Sequence, residues 1–279
     1  MKLLKLGLAV TLASTLLFGS ASQSSAASTT IKSPVLLRIN EYNVLYTYPK
    51  QPYMDSQQRL MVPLRAVSEL LGASVAYNAE LKQATIKKNG KEIILTGNSN
   101  KVTVDGEVKS MDTVPIVYKQ SFIVPIRVLL EYMNLKGTLN SETGILQVDD
   151  EAINEFPMIQ FMKESDVSSA VANPTGILPT NYELTLNDFN KTQLQKGKIH
   201  VKAKNTSGTT IPKGKEDLHI ILLYSKFYIM EADLVLEVEK QRPRPALAPG
   251  QSCEQKMDFT SGMYGDYLKY ALVVGRIFK

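Results

Sequence analysis

One cysteine, Cys253, and two histidines, His200 and His219, are all that this chain of 279 residues offers in those types. A single cysteine cannot close an internal disulfide, so stability has to come from apolar cores, which a chain of this length can bury. The G-x-S-x-G elbow of many serine hydrolases is missing, and so are the glycine-rich phosphate loops G-x-G-x-x-G and G-x-x-x-x-G-K. No tract of five or six basic residues occurs, and the aromatics read as not interleaved with lysine and arginine, which argues against a nucleic-acid partner. After the first thirty residues no apolar stretch approaches the roughly 18 residues of a membrane-spanning helix.

What is present begins with an export pattern. Lys2 and Lys5 precede an apolar run, Leu6–Phe18, and the small residues of SASQSSAAS follow, with cleavage expected after Ala26 or Ala27. Residues 1–27 therefore read as a signal peptide, and the mature protein is expected to be secreted, either soluble or held at the cell surface without a covalent anchor. Without Lys2 and Lys5 the formal charge falls from +5 to +3. This mild basic excess permits attraction to anionic wall polymers without requiring it.

Two phrases echo each other: RLMVPLRAVSELLGASVAYN (Arg59–Asn78) and QSFIVPIRVLLEYMNLKGTLN (Gln120–Asn140). At an offset of 62 residues Pro63 matches Pro125, Arg65 matches Arg127 and Glu69 matches Glu131. Leu64, Val67 and Leu71 stand at i, i+3 and i+7, as do Ile126, Leu129 and Met133, which predicts one buried helical face in each phrase. Proline suits the first helical position, where no N–H is needed. Gly72 is expected to end the first helix, and Gly137 the second, three residues beyond the register. Asn89-Gly90 and Asp105-Gly106 each lie between alternating runs and predict two-residue hairpin turns. The unit is thus a hairpin, a strand, a helix of about ten residues and a second hairpin, stated twice, the two copies closing one core.

Val62-Pro63-Leu64-Arg65, Gly72-Ala73, Val75 and Tyr77, then Val124-Pro125-Ile126-Arg127, resemble the copper amine oxidase N-terminal domain family over residues of about 34–150. The resemblance implies a non-catalytic stalk domain of bacterial surface proteins, an antiparallel sheet wrapped round a short helix. The family's Asn-Gly-Arg before V-P-L-R is replaced here by Asp55-Ser56-Gln57-Gln58-Arg59 and by Tyr118-Lys119-Gln120-Ser121, which keeps a turn and alters its chemistry. Residues 151–179 read as a linker with one helical turn. Beyond them YELTLNDF, KIHVKAKN, LHIILLYS, DLVLEVEK, SCEQKMDF and YLKYALVVGRI predict an all-β sandwich over 180–279. Ile221-Leu222-Leu223-Tyr224-Ser225 and Leu247-Ala248-Pro249-Gly250-Gln251 resemble the FxLYD-type immunoglobulin-like domain. The expected fold is an α+β domain with an internal repeat (28–150) followed by an immunoglobulin-like sandwich.

Copper is the first chemistry to weigh. Amine oxidation in that enzyme class uses a tyrosine-derived quinone and a metal on three histidines, whereas His200 and His219 both lie outside the resembling region and read as ordinary strand residues. Arg65/Glu69 and Arg127/Glu131 have i,i+4 spacing. They read as ion pairs that fix each helix to its sheet, with an anion-binding role as the open alternative. Asp149, Asp150, Glu151 and Glu155 lack a calcium-loop pattern and read as solvated linker. Arg242 and Arg244 read as a stiff basic turn, with teichoic acid or phospholipid contact as the alternative. Cys253 reads as a buried thiol.

No catalytic, cofactor or metal residue is therefore assigned, and no cofactor is expected. The leading expectation is a non-enzymatic cell-envelope scaffold or binding module for a wall polymer or an envelope protein. The alternative is an extracytoplasmic hydrolase or amine-acting enzyme with its site at the domain interface. A partner that adds a strand to an open sheet edge is a third option.

Overall fold

A computed structural model describes residues 28–165, 171–226, 229–231 and 244–279; the expected signal peptide, Arg242 and the run DLVLEVEK lie outside them. In chain order come β1 (Ser28–Pro34), β2 (Leu37–Ile39), β3 (Tyr42–Thr47), β4 (Tyr53–Met54), β5 (Leu60–Pro63), α1 (Leu64–Leu70), β6 (Ser74–Asn78), β7 (Gln83–Lys88) and β8 (Lys91–Thr96). Next are β9 (Lys101–Val104), β10 (Glu107–Ser110), β11 (Ile116–Tyr118), β12 (Ser121–Pro125), α2 (Ile126–Met133), β13 (Gly137–Leu139) and β14 (Leu146–Val148). A 3₁₀ turn (Glu151–Ile153) and α3 (Pro157–Ser165) follow, a longer helical segment than the one turn expected there. The C-terminal region supplies β15 (Val171–Asn173), β16 (Ile177–Asn187), β17 (Lys196–Asn205), β18 (Glu216–Tyr224), β19 (Ile229–Glu231), β20 (Ser252–Thr260) and β21 (Leu268–Phe278).

The protein is mostly β, with short helices and several largely antiparallel sheets. An outer sheet runs β1-β16-β17-β20. A central sheet runs β13-β14-β2-β3-β21-β18-β19, with β15 also on β21. A small sheet runs β11-β12-β5-β4, and a five-stranded sheet runs β10-β9-β8-β7-β6. Among the described residues no helix is long and apolar enough to cross a membrane.

The division into a unit ending at 150 and a separate sandwich from 180 does not describe how the strands pair. β1 is hydrogen-bonded along its length to β16, and β3 lies beside β21, so the chain's first strands belong to sheets built with its last ones. The physical reason is that the central sheet is covered on both faces. Along β18, Ile220, Leu222 and Tyr224 enter the core shared with the outer sheet, while Ile221 and Leu223 enter the core shared with α1, α2 and the other two sheets. β21 alternates likewise, Ala271 and Val273 to one side and Tyr270, Leu272 and Val274 to the other. Strands buried on both faces carry near-continuous apolar runs. Each fully buried aliphatic side chain contributes roughly 1.5–3 kcal/mol, so these two strands join the regions strongly.

The two strand–helix phrases meet in the small sheet. β5 and β12 run antiparallel with Val62 opposite Val124 and Pro63 opposite Ile123. Pro63 and Pro125 are the last residues of their strands and cap their helices in extended conformation; they are not the first helical residues, because each still belongs to its β-ladder. The helices have seven and eight residues. Gly72 ends the first at φ +70° and Asn134 ends the second at φ +58°, so Gly137 has no part in the cap and lies in β13. The cap bonds recur at the offset of 62: Gly72 N to Glu69 O and Ala73 N to Ser68 O, Asn134 N to Glu131 O and Leu135 N to Leu130 O. So do the turns, where Asn78 Oδ1 accepts from Leu81 N and Asn140 Oδ1 from Thr143 N. Asn89-Gly90 and Asp105-Gly106 form the expected hairpin turns, all four residues at positive φ.

Candidate functional site

Two adjoining cavities lie where the small sheet and α1 approach the C-terminal strands. The smaller, about 320 Å³, is bounded by Arg65 at the start of α1, Tyr77 on β6, and Tyr267 and Lys269 at the start of β21. The larger, about 1110 Å³, lies between β1, the segment after β16, and the segment that follows β3. Tyr48, Lys119 and Gln120 line both, so the cavities form one cleft with the β11–β12 turn at its junction.

That turn is where the chain departs from the Asn-Gly-Arg of the resembling family. Tyr118 pairs with Ser121, leaving Lys119 and Gln120 as a two-residue turn at φ +44° and +62°. Positive φ at a residue with a Cβ costs on the order of 1 kcal/mol, a cost that glycine would avoid. In return a lysine and a glutamine point from the tip of the turn, at the join of the cavities.

Aromatic rings form the walls. Tyr48 and Tyr267 have ring centroids 4.2 Å apart, and Phe189 meets Tyr267 edge-on at 5.2 Å. Tyr77 stands edge-on to Phe122 at 5.6 Å. Lys50 Nζ sits 3.8 Å from the Tyr53 ring centroid and 5.5 Å from that of Tyr118. Burial pushes the Tyr46 phenol well above its ordinary value, reinforced by Tyr48, Tyr118, Tyr182 and Tyr267. Burial also raises Tyr267; Tyr48 and Glu69 add to it and Arg65 opposes it. Tyr46 and Tyr267 are therefore neutral near pH 7, suited to packing and hydrogen bonding rather than to proton abstraction.

The cleft is cationic. Lys32, Lys50, Arg65, Lys119, Lys191 and Lys269 line it, against Asp188 as the lining acid. Lys32 is paired with Glu183 at 3.1 Å and Lys269 with Glu69 at 2.6 Å. Among the described residues Lys50, Arg65, Lys119 and Lys191 have no acidic partner.

The expected helix pairs do not form. Glu69 accepts from Lys269 Nζ and from the Tyr270 hydroxyl at 3.2 Å, which draws it away from Arg65 and toward β21. Among the described residues neither Arg127 nor Glu131 is ion-paired, and both are exposed. The other candidates lie elsewhere. Asp150 is structural rather than solvated: its carboxylate accepts from buried Lys88 at 2.7 Å and from Ala152 N. Asp149 accepts from Gln147, Glu151 from Asn154 and Glu155 from Gln160. Arg244 is not an exposed basic turn but is buried, and its Nη1 donates to Glu216 O at 3.4 Å. Cys253 is half-buried against the outer core.

The donor set does not fit copper. His200 points away from the outer core and lies 2.9 Å from Glu254, while buried His219 lies on the central sheet opposite Val274. Among the described residues no three His, Cys, Asp or Glu side chains converge in a way that could hold a metal ion.

Reading the sequence missed Tyr48, Lys50, Tyr118, Lys119, Tyr267 and Lys269. A local signal existed in YTYPKQPY (Tyr46–Tyr53) and in Tyr118-Lys119, where aromatics do alternate with lysine over short spans. Each span is too short to stand out until the fold joins them.

A family model described as the copper amine oxidase N-terminal domain matches residues 38–148. The match takes in both strand–helix phrases and concerns an N-terminal domain, not a catalytic one. Comparison with curated proteins finds no match.

Proposed function

We propose that this protein is a non-enzymatic, exported component of the cell envelope whose cleft holds a wall polymer or an envelope protein. The observation that carries the reading is the cleft itself: four cations that have no acidic partner among the described residues, beside tyrosine walls, at the junction of two regions. Export rests on the basic, apolar and small-residue order of the first 27 residues.

The scaffold reading has two parts. Residues from about 37 to 150 are two copies of one unit related by a local twofold axis. Under such an axis equivalent residues touch each other only on the axis, and two pairs at the offset of 62 do: Val62 faces Val124, and Lys88 bonds Asp150. The small sheet, β11-β12-β5-β4, reads the same from either end under that exchange. The outer and central sheets form an immunoglobulin-like sandwich completed by β1 and β3 from the N-terminal region. An enzymatic site between the regions is the weaker reading, because the lining offers neutral phenols, cations and Asp188 rather than a convergent acid–base set.

The test is retention of the mature chain on purified cell wall, titrated with salt. Retention at low salt that falls as the Debye length shrinks supports the reading. Arg65→Ala should weaken retention about tenfold, the value of roughly one charge-assisted hydrogen bond, while Arg127→Ala should leave it unchanged. Absence of retention at low salt, or equal loss in both variants, overturns it.

A further inference from the structure

We infer that the cleft takes an anionic glycan, a polymer whose repeat carries both a sugar ring and a negative group. This rests on the binding reading above and narrows it to one chemistry. The first requirement is a place for the ring. Tyr118 and Tyr77 are 39% and 43% exposed at the cleft, which leaves ring surface open to a ligand. The carbon–hydrogen face of a sugar ring is apolar and flat enough to cover such a surface, removing both from water.

The second requirement is a place for the charge. Lys119 lies 5.7 Å and Lys50 5.5 Å from the Tyr118 centroid, so a ring stacked there brings its substituents within reach of two ammonium groups. Arg65 lies in the smaller cavity and Lys191 in the larger, which spreads the cations along the cleft instead of gathering them at one point. A compact anion would need them convergent; a chain with spaced charges needs them spread. The larger cavity alone reaches the upper end of small-molecule sites, about 300–1,000 Å³, leaving room for more than one repeat.

Single-stranded nucleic acid also offers rings and charges. The glycan is favoured by what else lines the cleft: Thr29, Thr30, Gln51, Gln120 and Asn187 supply hydroxyl and amide groups, partners for a hydroxyl-rich ligand.

The experiment is calorimetric titration of the mature chain at low salt with four probes: polygalacturonate (rings and carboxylates), dextran (rings without charge), polyphosphate (charge without rings) and oligo-dT. The inference expects polygalacturonate to bind at least tenfold more tightly than polyphosphate of matched charge, and dextran not to bind. Tyr118→Ala should cost polygalacturonate about tenfold and polyphosphate little, Tyr118→Phe should restore the loss, and Lys119→Ala should weaken both polyanions. Equal binding of the two polyanions with Tyr118→Ala neutral overturns the inference and leaves the binding reading intact. So does retention on cell wall with no binding of any probe. Tighter binding of oligo-dT makes nucleic acid the occupant and also overturns it. Failure of all probes together with failure of wall retention sinks both readings. Should Tyr118→Ala lower the melting temperature, Lys50→Gln, 5.5 Å from the same ring, replaces it with the same expectation as Lys119→Ala.

Discussion

The two strand–helix phrases have nearly the same backbone and quite different neighbours. Each leaves a β-strand at proline, turns through a short helix, ends on a left-handed residue and enters a hairpin through an asparagine-held turn. Around the first, β21 brings Lys269 and Tyr270, which hold Glu69, and Arg65 is left at a cleft beside Tyr267. Around the second, Arg127 and Glu131 are exposed and have no ion-pair partner among the described residues. Local sequence sets the backbone in both places; the C-terminal region closes a cleft beside one of them.

The strongest way to break this comparison is at Lys88 and Asp150, which follow the two phrases and stand 62 residues apart. Lys88 is buried with its ammonium on Asp150 and on the carbonyl of Leu71 at the end of α1. Removing one partner strands a buried charge, and Lys88→Met or Asp150→Leu should each cost about 3–5 kcal/mol. The double variant should recover at least half of that summed loss, since apolar replacement removes both desolvation penalties. Urea midpoints of the three variants decide it. Simple additivity would mean that the pair does not couple the two halves.

A smaller effect separates the two helix ends. A Cβ on Gly72 would lie 2.4 Å from the Cβ of Ala152, and the residue is at φ +70°. Gly72→Ala therefore combines overpacking with left-handed strain, about 2–4 kcal/mol together. Asn134 holds the same conformation with its side chain accommodated, and Asn134→Gly should change stability by less than about 0.5 kcal/mol. Thermal melting of the two variants checks the contrast, and equal losses would contradict it.

That pair also shows what the sequence made legible. Asn-Gly and Asp-Gly announced their hairpins because two consecutive positive φ angles leave few residue choices. The helical faces of Leu64–Leu71 and Ile126–Met133 were legible from spacing, and the core confirms their burial. The second cap was not, because asparagine takes the left-handed region less often than glycine and Gly137 stood nearby as a decoy. The shared central sheet left a signal that alternation templates pass over: LHIILLYS and YLKYALVVGRI are apolar at both parities, which a one-sided sandwich strand would not need. The cleft was least legible of all. Tyr48, Arg65, Lys119 and Lys269 come from segments far apart in the chain, and no spacing rule brings them together.

The mildest prediction concerns the tie that the first helix has and the second lacks. Tyr270, fully buried in β21, shares its one hydroxyl hydrogen between two acceptors on α1, Ala66 O at 3.1 Å and Glu69 at 3.2 Å. Burial holds its phenol well above the ordinary value near 10, and the Glu69 charge and hydrogen bond add to the rise. The folded state thus keeps a proton that the unfolded chain releases. Stability from this group is fully present below pH 10 and is lost as pH climbs toward the folded value. Tyr270→Phe should cost about 1 kcal/mol at pH 7 through the lost hydrogen bond. Above pH 10 its stability should fall less steeply than the parent's, by about 1.4 kcal/mol per pH unit for one proton. Urea unfolding at pH 8, 10 and 11 measures both numbers. Tyr46 and Tyr182, also raised by burial, keep their share of the alkaline slope in both proteins, so the difference isolates Tyr270. Identical slopes would mean that β21 packs beside α1 without holding it.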